Sequence, residues 1–110
     1  MDLSIIIVNY NVKEFLQNSL NSIEKASADL KVEVIVVDNA SVDGSVELIK
    51  EKFPKVILIE NNENLGFSKA NNKGLAISKG KYLLLLNPDT IVQEDSFSTM
   101  INFFENLPLQ

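Results

Sequence analysis

The 110-residue chain has room for one domain, and its composition, 45% hydrophobic and 23% charged, is that of an ordinary globular protein rather than a disordered one. A net charge of −5 argues against nucleic acid as a partner, and its ten cations, all lysine, leave no arginine fork to clamp a phosphate. With neither cysteine nor histidine, disulfides, thiol nucleophiles, imidazole bases and Cys/His zinc sites are excluded.

The apolar run Leu3–Val8 predicts a first strand and is too short for a signal peptide or a membrane span, so the chain reads as soluble. Asn9-Tyr10-Asn11 follows as a polar loop. Helical spacing then puts Val12, Phe15, Leu16, Ser19, Ile23 and Ala26 on one face of a first helix. Val32–Val37 predicts the second strand, followed by Asp38-Asn39-Ala40-Ser41. The turn Asp43-Gly44-Ser45 leads into a helix with Val46, Ile49 and Phe53 inward. Val56–Ile59 predicts the third strand, after which a polar run extends from Glu60 to Gly66.

The third helix carries Phe67, Ala70, Gly74 and Ile77 on its inner stripe and is closed by Lys79-Gly80. Asn71 also falls on the inner side, where an unpaired amide costs about 1–3 kcal/mol, so it bonds either backbone or a ligand. Gly74 in mid-helix costs about 1 kcal/mol relative to alanine, which predicts a close approach of helix to sheet. Tyr82–Leu86 is the fourth strand, Asn87-Pro88-Asp89-Thr90 its loop, and a last helix after Gln93 turns Phe97, Met100, Ile101 and Phe104 inward. None of the strands alternates with polar residues, so each is expected to be covered on both faces.

This order predicts a doubly wound, mostly parallel α/β sheet flanked by helices, with residues 1–110 forming one domain. Right-handed crossovers gather the four polar loops at the carboxyl edge, where ligands of such sheets bind. The chain ends at Leu107-Pro108-Leu109-Gln110, after a helix that would ordinarily lead to more sheet, so a larger whole is expected. A four-stranded sheet also leaves an edge or apolar face on which copies could associate.

No G-x-G-x-x-G or G-x-x-x-x-G-K-[ST] is present, and Asn9 and Asn11 stand where a receiver domain would have paired acids. A bound diphosphate then needs another partner, such as an acid bridging through Mg²⁺ or Mn²⁺. Asp89 is the candidate, with Asn87 as a neutral oxygen beside it; the competing reading is a plain Asn-Pro-Asp turn. Asp38 could accept from a base N–H or a ribose hydroxyl, or close an Asx turn into the second helix. Tyr10 could lie against a base or cover the sheet edge.

Ser4–Asn11, Val34–Ser41, Asn64–Phe67, Ala70–Gly74 and Tyr82–Asp89 together resemble glycosyltransferase family 2, in particular its rhamnosyltransferase-like branch, in family order and spacing. The resemblance runs from residue 3 to about 104. It implies the nucleotide-binding half of an A-type glycosyltransferase fold, with a UDP- or dTDP-linked sugar held by Asn9, Tyr10, Asn11, Asp38, Asn39, Ser41, Asn71, Asn87 and Pro88. It implies a divalent metal, Mn²⁺ or Mg²⁺, on Asp89, which matches the final acid of the family's D-x-D motif, and transfer with inversion to a hydroxyl of a saccharide or lipid-linked saccharide. Cell-surface polysaccharide synthesis in the cytoplasm, peripherally at the inner face of the membrane, is the setting it suggests.

Two departures matter. Asn87 replaces the first acid of D-x-D, which predicts weaker metal affinity. The general base and acceptor site of the family lie in a further stretch, expected beyond Gln110, and Glu94 and Asp95 look instead like favourable charges at a helix start. The competing hypothesis is a non-catalytic or vestigial nucleotide-binding or assembly module on the same fold.

Overall fold

A computed structural model of the chain describes residues 1–108; Leu109 and Gln110 of the terminal run lie outside the described residues. The elements are β1 (Leu3–Asn9), α1 (Lys13–Ala26), β2 (Val32–Asp38), α2 (Ser45–Lys52), β3 (Ile57–Glu60), α3 (Gly66–Ile77), β4 (Tyr82–Leu86) and α4 (Ser96–Glu105). The strands form one parallel sheet in the order β3-β2-β1-β4. The chain therefore winds from β1 out to β3, then crosses back to place β4 on the other side of β1. That reversal makes the carboxyl ends of β1 and β4 the topological switch point.

One face of the sheet is sealed by α1, α2 and α4. Leu3, Ile5 and Ile7 of β1 pack there with Leu16, Leu20, Ile23, Leu48, Ile49 and Phe97, all essentially buried. The opposite face has α3 alone, whose Ala70 packs with Ile6, Ile35 and Val37. The close approach expected at Gly74 is present: a Cβ there would lie 2.6 Å from Ile6 Cγ2.

Several inward assignments are corrected. In α1 the buried stripe is rotated towards Leu20, leaving Phe15 58% exposed. In α3 only Ala70, Asn71 and Gly74 are buried; Phe67 and Ile77 sit in the terminal turns, beyond the stretch that lies on the sheet, and are exposed. Phe104 is 41% exposed and stacks on Tyr82 with ring centroids 5.3 Å apart. Coverage on both faces holds for β1 but not for the edges. Leu83 and Leu85 of β4 are about half exposed, because their side shares the α3 face and α3 lies over β1 and β2.

Lys79-Gly80 does not cap α3, which ends at Ile77. It enters a buried clamp at the amino edge of the sheet instead. Ser4 Oγ donates to Glu33 Oε2, Lys79 N–H donates to the same oxygen at 2.6 Å, and Gly80 N–H donates to Ser4 Oγ at 2.7 Å. Beside it, the Lys81 ammonium and then the Tyr82 hydroxyl bond Glu105 and hold its carboxyl below the usual range, tying the end of α4 to the start of β4. Among the described residues no helix is long and apolar enough to cross a membrane.

Candidate functional site

All four polar loops emerge at the carboxyl edge, since the strands are parallel. The β1–β2 register pairs Asn9 with Asp38, the last residue of each strand. Asn9 Nδ2 donates to Asp38 Oδ1 at 2.9 Å and lies 3.3 Å from Ser41 Oγ. Ser41 returns its hydroxyl to Asp38 Oδ1 at 2.7 Å and its backbone N–H to Oδ2 at 2.8 Å. Asn11 closes the cluster: its N–H donates to Ser41 Oγ at 2.9 Å, and its Oδ1 accepts from Val42 N–H at 2.8 Å.

Asp38 is therefore the fastener of this corner. It is 1% exposed and accepts three hydrogen bonds, two on Oδ1 and one on Oδ2, so its remaining acceptor capacity is on Oδ2. The Asx-type turn it closes forces Ala40 to φ 63°, a left-handed conformation that costs a non-glycine residue roughly 1–2 kcal/mol. Strain of this kind persists where surrounding bonds over-determine the backbone, as the Asp38–Ser41 pair does here. Asn11, at φ 52°, carries the same conformation more easily, because asparagine tolerates it.

The adjoining corner is held by Asp43, which the sequence marked only as part of a turn. Its carboxylate accepts Lys13 N–H at 2.9 Å and the Ser45 hydroxyl at 2.6 Å, serving the amino ends of both α1 and α2. Partial burial pushes its pKa up, but the bonds from the Ser45 side chain, Lys13 N–H and Ser45 N–H together outweigh it and leave the carboxyl below its ordinary value.

The other expected residues divide into two groups. Asn39 is 2% exposed and spends its amide inside the protein, on Asn61, Leu65 and Gly66. Asn71 is 5% exposed, and its Nδ2 is buried without a partner, as is the Oδ1 of Asn9. By contrast Tyr10 is 49% exposed. Asn87 and Asp89 are also exposed, with Pro88 half-buried between them, in a loop closed by Thr90 N–H on the Asn87 carbonyl at 3.1 Å. That loop leaves β4 directly beside β1, where Leu86 pairs with Ile7.

Among the described residues no three His, Cys, Asp or Glu side chains are gathered as a metal cluster. Asp89 supplies one exposed carboxylate and Asn87 one amide oxygen. Hard oxygen ligands of this number suit Mg²⁺ or Mn²⁺ when a bound diphosphate completes the shell, as is common for Mg²⁺. A separate cleft of about 490 Å³, lined by Ile23, Ser27, Val32 and Phe53, lies at the amino edge, away from these loops.

A doubly wound parallel sheet with its polar loops at one switch-point edge defines an open α/β fold, and the solved structures make that fold specific. The Staphylococcus aureus TarS 1–349 complex with UDP-GlcNAc superposes with a TM-score of 0.84 at 25% identity, over 96% of this chain and 31% of that one. The mannosyltransferase PcManGT from Pyrobaculum calidifontis, solved with GDP-Man and Mn²⁺, gives 0.83 at 24% identity, over 94% of this chain and 32% of that one. The fold is that of the A-type glycosyltransferases.

The chain belongs to glycosyl transferase family 2, whose model matches residues 4–110. Among its relatives, the minor teichoic acid biosynthesis protein GgaB of Bacillus subtilis is 34% identical over 108 residues, covering 94% of this chain and 12% of GgaB. The chain thus spans a third or less of each of these three proteins.

Proposed function

We propose that this chain is the donor-binding part of a sugar transferase: it holds a nucleoside diphosphate sugar at the carboxyl edge for inverting transfer to a hydroxyl acceptor. The observation that carries the reading is one juxtaposition. The Asn9–Asp38–Ser41 cluster at the end of β1 and β2 stands beside Asp89 at the end of the neighbouring β4. The nucleoside lies at the first, with Asp38 Oδ2 accepting from base or ribose and Tyr10 against the base. Asn71 Nδ2 and Asn9 Oδ1 are buried atoms whose lost bonds a ligand would supply.

The diphosphate lies at the second, over Asn87, Pro88 and Asp89. Asp89 would hold a divalent ion there, which would supply positive charge against the departing diphosphate. In the transfer the acceptor oxygen bonds the anomeric carbon as the bond to the diphosphate oxygen breaks, and the hydroxyl proton passes to a base outside these residues. Support for a UDP-type donor comes from the UDP-GlcNAc bound by TarS, and for the metal from Mn²⁺ in the mannosyltransferase. GgaB, named for minor teichoic acid biosynthesis, supports a cell-surface polysaccharide acceptor; a lipid-linked acceptor and a place at the inner face of the membrane belong to the proposal alone.

Asp89→Ala tests the metal role. The variant should keep its fold and its affinity for free nucleoside, yet bind nucleoside diphosphate no more tightly with Mn²⁺ than without. Calorimetric titration decides it, and equal metal-dependent tightening in wild type and variant removes Asp89 from that role.

A further inference from the structure

The carboxyl edge contains a second polar chain, which the assigned site does not use. Lys73, on the second turn of α3, donates its ammonium to Asn61 Oδ1 at 2.7 Å. Asn61 Nδ2 donates to Asn39 Oδ1 at 2.9 Å, and Asn39 Nδ2 donates to the Gly66 carbonyl at 3.2 Å. Leu65 N–H shares Asn39 Oδ1 at 3.3 Å. Both amides are buried, Asn39 at 2% and Asn61 at 7% exposure, so their orientation is decided inside the protein.

The cation, on an exposed lysine, imposes on Asn61 the same direction that the backbone at Leu65 and Gly66 imposes on Asn39. An ammonium has donors only, so it requires the carbonyl oxygen of Asn61 to face it and turns the Asn61 NH₂ towards Asn39. Asn39 must then present its oxygen to Asn61 and Leu65 and its NH₂ to Gly66. Reversing either amide sets donor against donor. The backbone runs through the same place: Asn39 N–H donates to the Asn9 carbonyl and Asn61 N–H to the Asp38 carbonyl, each at 2.9 Å. The chain of bonds thus joins the β2 loop, the β3 loop and the amino end of α3, where Gly66 turns at φ 80°.

We infer that Lys73 is a positioning residue of the nucleotide site: by orienting the Asn61–Asn39 pair it fixes the amino end of α3, and with it Asn71, against the Asp38 corner. The inference rests on the donor-binding reading above. Lys73 touches no ligand in this account; it acts through the two asparagines.

The test titrates UDP and dTDP, with and without Mn²⁺, into wild type, Lys73→Met and Lys73→Arg, with thermal unfolding followed for each. Lys73→Met should weaken the nucleotide that wild type binds by about tenfold, by the same factor with and without Mn²⁺. Lys73→Arg, which restores a cationic donor to Asn61, should recover most of the loss. A Lys73→Met variant that binds like wild type overturns the inference, even if less stable, and so does a loss confined to the Mn²⁺ arm. Should Lys73→Met not fold, Lys73→Leu, which also lacks a donor to Asn61, is read in the same way. Wild type binding neither nucleotide is a different result, which overturns the donor-binding reading and this inference with it.

Discussion

Gly80→Ala should lower the stability of the chain by about 3 kcal/mol, counting overpacking and the loss of a buried hydrogen bond. A Cβ at this position would lie 2.4 Å from Ser4 N, 2.6 Å from Ser4 Oγ and 2.7 Å from the Leu3 carbonyl carbon. Two of these atoms are backbone of β1, the central strand beside β4, and cannot be relieved by a rotamer change. The entry to β4 would have to move, giving up the bonds of Gly80 N–H to Ser4 and of Lys79 N–H to the buried Glu33. Gly74→Ala should cost less. Its Cβ would meet Ile6 Cγ2 at 2.6 Å but no backbone atom among its nearest contacts, and alanine recovers about 1 kcal/mol of helix propensity. Urea unfolding measures both, and a Gly80→Ala midpoint equal to that of wild type would mean that β4 does not enter the sheet as described.

Asp38→Ala should act on both fold and site. Removing the carboxylate takes the acceptor from Ser41 N–H and the Ser41 hydroxyl and leaves Asn9 Nδ2 with Ser41 Oγ alone, at 3.3 Å, in a corner where Asn9 is fully buried. With about 1–3 kcal/mol for each buried group left unpaired, and partial rescue by water or rearrangement, a loss of about 3 kcal/mol is expected. Ala40 would lose the bonds that hold it at φ 63°, so the turn should relax. Nucleoside affinity should fall about tenfold or more with or without metal, measured at a temperature where the variant remains folded. A loss confined to diphosphate affinity would contradict the placement of Asp38 at the nucleoside.

Much of this was legible in the residues, and the rest was hidden for physical reasons. Strands β1, β2 and β4 announce themselves because they are runs of branched or long aliphatic residues between polar loops, and each is observed within one residue of its expected bounds. Parallel order then places Asn9, Asp38 and Asp89 at one edge without further information. Helical period fails at Phe15, Phe67 and Ile77 because it reports a direction around the helix, not whether sheet lies underneath. The exposure of Leu83 and Leu85 has the same origin: a leucine run reads as buried whichever faces are covered.

Hydrogen-bonded roles were harder to foresee. Asp43 serves Lys13 thirty residues away, and Lys73 orients Asn61 across a loop, so neither has a local pattern. Ala40 carries no sign of its left-handed backbone, whereas a glycine there would have shown it. The asparagine-rich stretch Asn61-Asn62-Glu63-Asn64 was the visible hint that side-chain amides organise this edge.

The central claim, an intact donor site in these residues, is tested most directly by calorimetric titration of the folded chain with UDP and dTDP, each with and without Mn²⁺. The account predicts that one of the two binds, and that Mn²⁺ tightens the binding. No heat of binding for either nucleotide at millimolar concentration, with or without the metal, would contradict it.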